Sequence, residues 1–371
     1  MAWREAVQRV WWNQSRGLER MVFTALLGPL ALAYGAVLLA ARLPWRMGWR
    51  RPQSLRAPVV VVGNLVIGGV GKTPVVLALV KALQEAGYRP GIVSRGYRPG
   101  RPALALPLAV EPDSQATDCG DEPLLLRRRA RVPVWVGKRR AEVARALLKS
   151  HPEVDVVVSD DGLQHLALPR DFQIIVFDAR GAGNERVLPA GPLRERLPRR
   201  LPPRNTVVYN AARPSTALPG ACVNPRLAGL CSLSDWWRGL PASPTALTDL
   251  QQVPVVAAAG IAHPERFFSM LEAAGLRIAR LPLPDHAPLT PRPWPNDTRP
   301  VVVTEKDAVK LSPTAADAGR VHVATLDFDL PFSVIEAALA ALPPPRHDPH
   351  GPPFDRTSGL PDLQGAAGTR S

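Results

Sequence analysis

Apolar positions are grouped along the chain in runs whose period changes from one region to the next. Between Arg20 and Arg42 the stretch MVFTALLGPLALAYGAVLLAA carries no charge. Its length approaches the roughly 20 residues a helix needs to cross a bilayer core. Further on, the short unbroken runs VVVVGN, RPGIVSRGY, VPVWVG, VDVVVSDD and FQIIVFDA alternate with stretches of helical period. Unbroken apolar runs of this length predict strands buried on both faces, and their alternation with helices predicts a parallel sheet. NTVVYN, VPVVAAAGIA and RPVVVTEKD repeat the pattern on a smaller scale.

The first run leads into a more informative segment. VVVVGNLVIGGVGKTPVVLALVKALQEAG reads as a strand, a glycine-rich turn and a helix ending near Gly87. That order makes a phosphate-binding loop: backbone N–H groups from Gly68 to Gly71, together with a helix N-terminus, surround phosphate oxygens. Gly68, Gly69, Val70, Gly71, Lys72, Thr73 and Pro74 are the candidate nucleotide contacts. Lys72 would reach the β- and γ-phosphates and the Thr73 hydroxyl would ligate Mg²⁺. The strict motif has glycine where this chain has Val66, so the loop is a variant.

The expected fold is therefore α/β: a P-loop NTPase-type parallel sheet with helices on both faces, a smaller second α/β domain and an N-terminal membrane-associated helix. The expected divisions are 1–50 for the membrane-associated segment, 51–205 for the P-loop domain, 206–342 for the second domain, and 343–371 for a tail rich in Pro, Gly and His that predicts disorder. A chain of 371 residues is long enough for two such domains.

A P-loop needs a partner carboxylate at the end of another strand of the same sheet. VDVVVSDDGLQH supplies Asp160 and Asp161 as candidate metal ligands, followed by Gln164 and His165. Cys119-Gly120-Asp121-Glu122-Pro123 precedes a helix-like run, so Asp121 could act as a base or the acidic pair could cap that helix. VVVTEKDAVKL brings Thr304, Glu305, Lys306 and Asp307 to the end of a strand, where a capped strand-to-helix turn is the favoured reading.

Composition narrows the setting. The formal net charge is +14, which favours polyanionic partners without choosing among nucleic acid, anionic lipid and a phosphorylated substrate. A nucleic-acid-binding module would explain the charge but neither the apolar segment nor the paired Asp, so no nucleic acid is expected, and no protein partner is predicted. Trp3, Trp11, Trp12, Trp45 and Trp49 flank the apolar segment among arginines, a pattern that anchors at headgroup depth. An anionic membrane surface is the expected partner, with either an interfacial or a crossing helix. The segment is too long, and lacks the small-residue cleavage site, for a signal peptide. Cys119, Cys222 and Cys231 form no CxxC, which argues against a zinc or disulfide framework.

Taken together, VGNLVIGGVGKTP, SRGY (94–97), GDEP (120–123), DDGLQH (160–165), LPAGPLRE (188–195) and VTEKDAVKL (303–311) resemble the tetraacyldisaccharide 4'-kinase family of lipid A biosynthesis. The resemblance extends to about residue 340. It implies an ATP- and Mg²⁺-dependent kinase on the cytoplasmic side of the inner membrane, acting on a lipid-linked glucosamine disaccharide. Position by position, it implies Asp121 as general base with Glu122 beside it, and His286 of LPLPDHAPLT as the partner of that base, with His263 a weaker alternative. Gln164 and His165 fall in the pocket, and Arg180 and Asn184 on the substrate side, although Glu185 stands where a small residue is expected. The arginine run Arg194, Arg196, Arg199 and Arg200 reads equally as a solvated loop or as a contact with lipid or substrate phosphate.

Overall fold

The computed structural model describes residues 2–14, 17–98 and 104–346. Arg16, the side chains of Trp3 and Arg4, and the expected tail from residue 347 onward lie outside the described residues. Two sheets organise the rest. The first contains β1 (Val59–Gly63), β2 (Pro90–Ser94), β3 (Leu108–Ala109), β4 (Val134–Val136), β5 (Val156–Asp160), β6 (Phe172–Asp178), β7 (Asn205–Asn210) and β8 (Ala221–Val223), in the order β3-β4-β2-β5-β1-β6-β7-β8. All pairings are parallel except that of β3 with β4. The second contains β9 (Arg226–Ser232), β10 (Val255–Ala259), β11 (Ile278–Pro282), β12 (Val301–Thr304) and β13 (Val321–Asp327), in the order β11-β10-β12-β13-β9, with β9 antiparallel at one edge.

The five unbroken apolar runs all become strands of the first sheet, and every residue of β1, β2 and β5 is buried. Helix Lys72–Glu85 covers one face through Val75, Val76, Leu79, Val80 and Leu83. Register matters here: Val62 of β1 lies opposite Asp160 of β5, so the turn after β1 and the acidic turn after β5 emerge side by side.

The expected boundary at residue 205 is not where the sheets divide. NTVVYN does not open the second domain; it is β7, paired along its length with β6, and β8 extends the same sheet to Val223. The alternation of strand and helix is interrupted here, because no helix lies between β6 and β7. Residues 179–204 form an irregular connection instead, and a helix from the far end of the chain, Phe332–Ala340, packs against β7 and the P-loop helix. Residues that follow it are also tied down: Tyr88 Oη donates to the Pro343 carbonyl at 2.7 Å, and Arg346 Nη2 to the Arg56 carbonyl at 2.7 Å.

The N-terminal apolar segment is one unbroken helix, Leu18–Arg46, with Pro29 and Pro44 inside it. Phe23, Leu27, Ala31, Tyr34, Leu38 and Arg42, spaced three or four apart, turn toward the first domain. Such spacing follows one face of a helix. Tyr34 Oη donates to the Arg194 carbonyl at 2.9 Å, and Arg42 forms an ion pair with Glu195. Leu26, Leu30, Leu32, Val37 and Leu39 point the other way and are more than half exposed. The preceding helix, Ala2–Trp11, is fastened to the irregular connection by Trp11 Nε1 donating to the Pro189 carbonyl at 2.9 Å.

The start of the P-loop depends on close approach. A Cβ on Gly63 would lie 2.6 Å from Cγ of the buried Leu163, in the turn after β5. Gly63→Ala should therefore cost about 1–3 kcal/mol, the usual range for overpacking a core. In urea denaturation the Gly63→Ala/Leu163→Ala double variant should be more stable than the sum of the single effects; simple additivity would exclude this contact as the cause.

Candidate active site

Glycine at the loop's end has a steric reason. Gly71 adopts φ +79°, and a Cβ there would fall 2.1 Å from Nδ2 of Asn210, which donates to the Val70 carbonyl at 3.2 Å. At the other end, the fully buried Asn64 amide donates to the carbonyls of Val66 (2.8 Å) and Gly68 (3.3 Å). Side chains from the turn after β1 and from β7 thus hold the loop's curvature, leaving backbone N–H groups for a ligand. Lys72 Nζ lies 3.3 Å from Asn64 Oδ1 and 3.4 Å from Asp161 Oδ1.

The two acidic residues after β5 differ in environment. Asp160 is buried, with Ser94 Oγ donating to its Oδ2 at 2.9 Å. Burial, then the negative charge of Glu122, pushes its carboxyl up to about 6 despite Lys72 nearby. Asp161 adopts a left-handed φ of +54° and meets Arg194 Nη1 at 3.2 Å as well as Lys72. Burial alone would raise its pKa, but Lys72 and Arg194 outweigh it and hold the carboxyl below its usual value. A buried carboxylate that accumulates negative neighbours suits a divalent cation, and Mg²⁺ needs only one or two protein ligands beside substrate phosphate and water. Asp160 and Thr73 fit that requirement better than Asp161, whose charge is already matched by two cations.

Across a cavity of ≈ 840 Å³ the second sheet presents its own carboxyl ends. Asp121, the first residue of helix Asp121–Ala130, is 6% exposed, and His286, after β11, places Nδ1 2.8 Å from its Oδ2 and 3.0 Å from its Oδ1. His286 has φ +60°, which is uncommon for a residue other than glycine. Burial would raise the Asp121 carboxyl, but His286 and Lys306 outweigh it, so its pKa is lowered. Burial would lower His286, but Asp121 outweighs it, so its pKa is raised. The same cavity is lined by the whole loop from Gly68 to Pro74, and by Glu122, Asp160, Asp161 and His263. His263 belongs to a different part of it, 3.7 Å from Asp178, so the Asp121 partner is His286.

Four expected residues do not line this cavity. Arg180 is bound by Asp178 (2.6 Å), donates to the Gly69 carbonyl (3.2 Å) and stacks on Trp12. Asn184 donates to the Ala190 carbonyl at 2.8 Å, and its backbone N–H to the Trp11 carbonyl at 2.8 Å, so it anchors the first helix. Gln164 Nε2 links Glu195 Oε1 (2.9 Å) to the Asn64 carbonyl (3.3 Å). His165 is kept neutral, its pKa lowered to about 4 by burial and then by Arg140. Glu185 sits at φ +57° in an exposed turn, which explains why a small residue is expected there.

The sequence pattern of the tetraacyldisaccharide-1-P 4'-kinases (LpxK) matches residues 23–342. The chain belongs to that family. A tetraacyldisaccharide 4'-kinase of Leptothrix cholodnii is 53% identical over 330 residues, covering 87% of this chain and 93% of its own. That of Methylibium petroleiphilum is 47% identical over 328 residues, covering 86% and 91%. LpxK from Aquifex aeolicus, crystallised in complex with ATP, has the same fold, with a TM-score of 0.69 at 24% identity over 86% of this chain and 99% of that one.

Two cavity-lining residues, Lys306 and Arg194, carried no clear signal in the sequence. Lys306, assigned there to a capped turn, lies inside the cavity 3.1 Å from Glu122 and 2.9 Å from Asp285. Its neighbours do form the expected cap: Thr304 accepts from the Asp307 N–H, and Asp307 accepts from the Gly260 N–H at 2.9 Å. The available signal was a charged group at the carboxyl end of a buried strand, the same cue that marked Asp160. Arg194, grouped with exposed arginines, turns inward to Asp161, whereas Arg196, Arg199 and Arg200 remain exposed.

The Asp121–His286 pair predicts a pH-dependent stability term. Because the folded pKa of His286 is raised, its contribution is complete below the unfolded value and fades as pH rises through the folded one. Asp121, lowered, loses its contribution only as pH falls through its folded value. Urea titrations should thus show His286→Gln more destabilising at about pH 5.5 than at about pH 9. An equal loss at both would mean the pair is not charged in the folded protein.

Proposed function

We propose that this chain transfers the γ-phosphate of ATP to the 4'-hydroxyl of a tetraacyldisaccharide 1-phosphate at the surface of the inner membrane, on its cytoplasmic side. The observation that carries the reading is the Asp121–His286 pair, contributed by two domains and facing the P-loop across one cavity. A nucleotide-hydrolysing switch has no need of such a pair. TEKD (304–307) resembles the NKxD motif by which GTPases read guanine, but its Asp307 is 1% exposed and already accepts from the Gly260 N–H and the Thr304 hydroxyl.

In this reading the loop N–H groups and Lys72 hold the β- and γ-phosphates. Asp160 and Thr73 would hold Mg²⁺, which would supply charge neutralisation when bound. The 4'-oxygen forms a bond to the γ-phosphorus as the bond from that phosphorus to the bridging oxygen of ADP breaks. Asp121 accepts the hydroxyl proton, a step worth typically about 10²–10⁴-fold in rate. Arg194 keeps Asp161 in place, and Asp161 in turn orients Lys72.

The outward face of helix Leu18–Arg46, with its exposed leucines, lies in the membrane interface, while its inner face stays fastened to the first domain. The exposed Arg196, Arg199 and Arg200 beside it face anionic headgroups. Such a helix brings the sugar end of a lipid to the cavity while the acyl chains remain in the bilayer.

Purified protein incubated in detergent with γ-labelled ATP, Mg²⁺ and tetraacyldisaccharide 1-phosphate should yield labelled lipid. Lys72→Ala and Asp121→Asn should each reduce the label by about two orders of magnitude or more. Released phosphate without labelled lipid would overturn the kinase reading. Proton and Mg²⁺ also compete for Asp160, so Mg·ATP affinity measured by calorimetry should weaken as pH falls through about 6. Asp160→Asn should abolish that pH step; a step that survives belongs to another group.

A further inference from the structure

Neither the family match nor the roles given above assign Lys306, yet it is held by three groups at once. Its Nζ lies 2.9 Å from Asp285 Oδ1, 3.1 Å from Glu122 Oε1 and 3.2 Å from His286 Nε2. An ammonium group has only protons to donate, so its contact with Nε2 requires a lone pair on that nitrogen. The proton of a neutral imidazole must then be on Nδ1, the atom facing Asp121 at 2.8 Å. The ring is further confined by Tyr97, which meets it edge-on at 5.1 Å between centroids.

We infer that Lys306 is a positioning residue: by occupying His286 Nε2 it fixes the Nδ1–H tautomer, and so makes Asp121, and not the imidazole, the acceptor of the substrate proton. The inference rests on the kinase reading for its catalytic consequence but not for its structural content. Two roles are open to a carboxylate–imidazole pair. In one the carboxylate orients a histidine base, which needs a free Nε2. In the other the imidazole orients a carboxylate base. Here Nε2 is taken, and only the second remains.

The charges facing the ring support the same arrangement. Asp121 comes from helix Asp121–Ala130, Asp285 from the residue before the histidine with an oxygen 3.8 Å from Nε2, and Lys306 from the turn after β12. Glu122 meets Lys306, and Lys310 lies near Asp121. Burial and Lys306 oppose protonation of His286, whereas Asp121 and Asp285 favour it. Lys306 itself stays charged, because Glu122, Asp121 and Asp285 outweigh the effect of burial. Removing its charge leaves two carboxylates against the ring, which then takes up a second proton at higher pH.

The test is ¹⁵N NMR of histidine-labelled full-length protein, with the His286 signals assigned by comparison with His286→Gln, beside kinase kinetics of Lys306→Met and Lys306→Arg. In the wild type the imidazole should show Nδ1 protonated and Nε2 unprotonated above its pKa. In Lys306→Met its titration should move to higher pH. The acid limb of kcat should move with it, kcat at neutral pH should fall roughly ten- to a hundredfold, and KM for ATP should stay within about twofold. Lys306→Arg should restore most of the wild-type limb. A wild-type ring protonated at Nε2 would overturn the inference, and needs no variant. So would a folded Lys306→Met protein whose histidine titration and kcat limb are unchanged. Absence of kinase activity in the wild type would instead strike the function, leaving the tautomer measurement to stand by itself.

Discussion

Parallel strands end together, and in this protein two largely parallel sheets end against one another. At the carboxyl edge of a parallel sheet the backbone leaves its ladder, so N–H groups and short polar side chains are exposed there by topology. Gly63, Ser94, Asp160, Asp178 and Asn210 close five strands of the first sheet, while Gly260, Asp285 and Thr304 follow or close three strands of the second. Facing these edges gathers the glycine-rich loop, the buried Asp160 carboxylate and the Asp121–His286 pair around one cavity although they are far apart in sequence. Asp121 and His286 are 165 residues apart.

That arrangement concentrates charge in a low-dielectric space, where each unpaired ion is costly. The chain matches most of them locally: Asp161 with Lys72 and Arg194, Asp121 with His286, Glu122 and Asp285 with Lys306. Asp160 is the exception: burial, then the negative charge of Glu122, raises its carboxyl to about 6 despite Lys72 nearby. The pairs also join the domains. Arg129 to Glu305, and Arg128 stacked on Trp237 at 3.8 Å, carry helix Asp121–Ala130 onto the second sheet at the end away from Asp121.

The N-terminal helix adds a second constraint. A helix with one fastened stripe and one exposed apolar face has a fixed orientation toward any surface it enters. Its inner stripe touches Arg194 and Glu195, which in turn touch Asp161 and Gln164. The apolar N-terminal helix is therefore connected by a short chain of polar contacts, through Asp161 and Lys72, to the glycine-rich loop.

Sequence alone determined whatever is local. GGVGKT between a strand and a helix, DDG at the end of a buried strand, and the uncharged run between Arg20 and Arg42 are legible because backbone geometry and apolar period are properties of neighbouring residues. His286 was accessible only through family likeness, since a histidine in a proline-rich loop carries no periodic signal. Lys306, the inward turn of Arg194, the structural use of Arg180 and Asn184, and the membership of β7 in the first sheet were decided by tertiary structure. Each depends on which distant segment lies opposite, and a side chain's pattern along the chain does not encode the partner across a cavity.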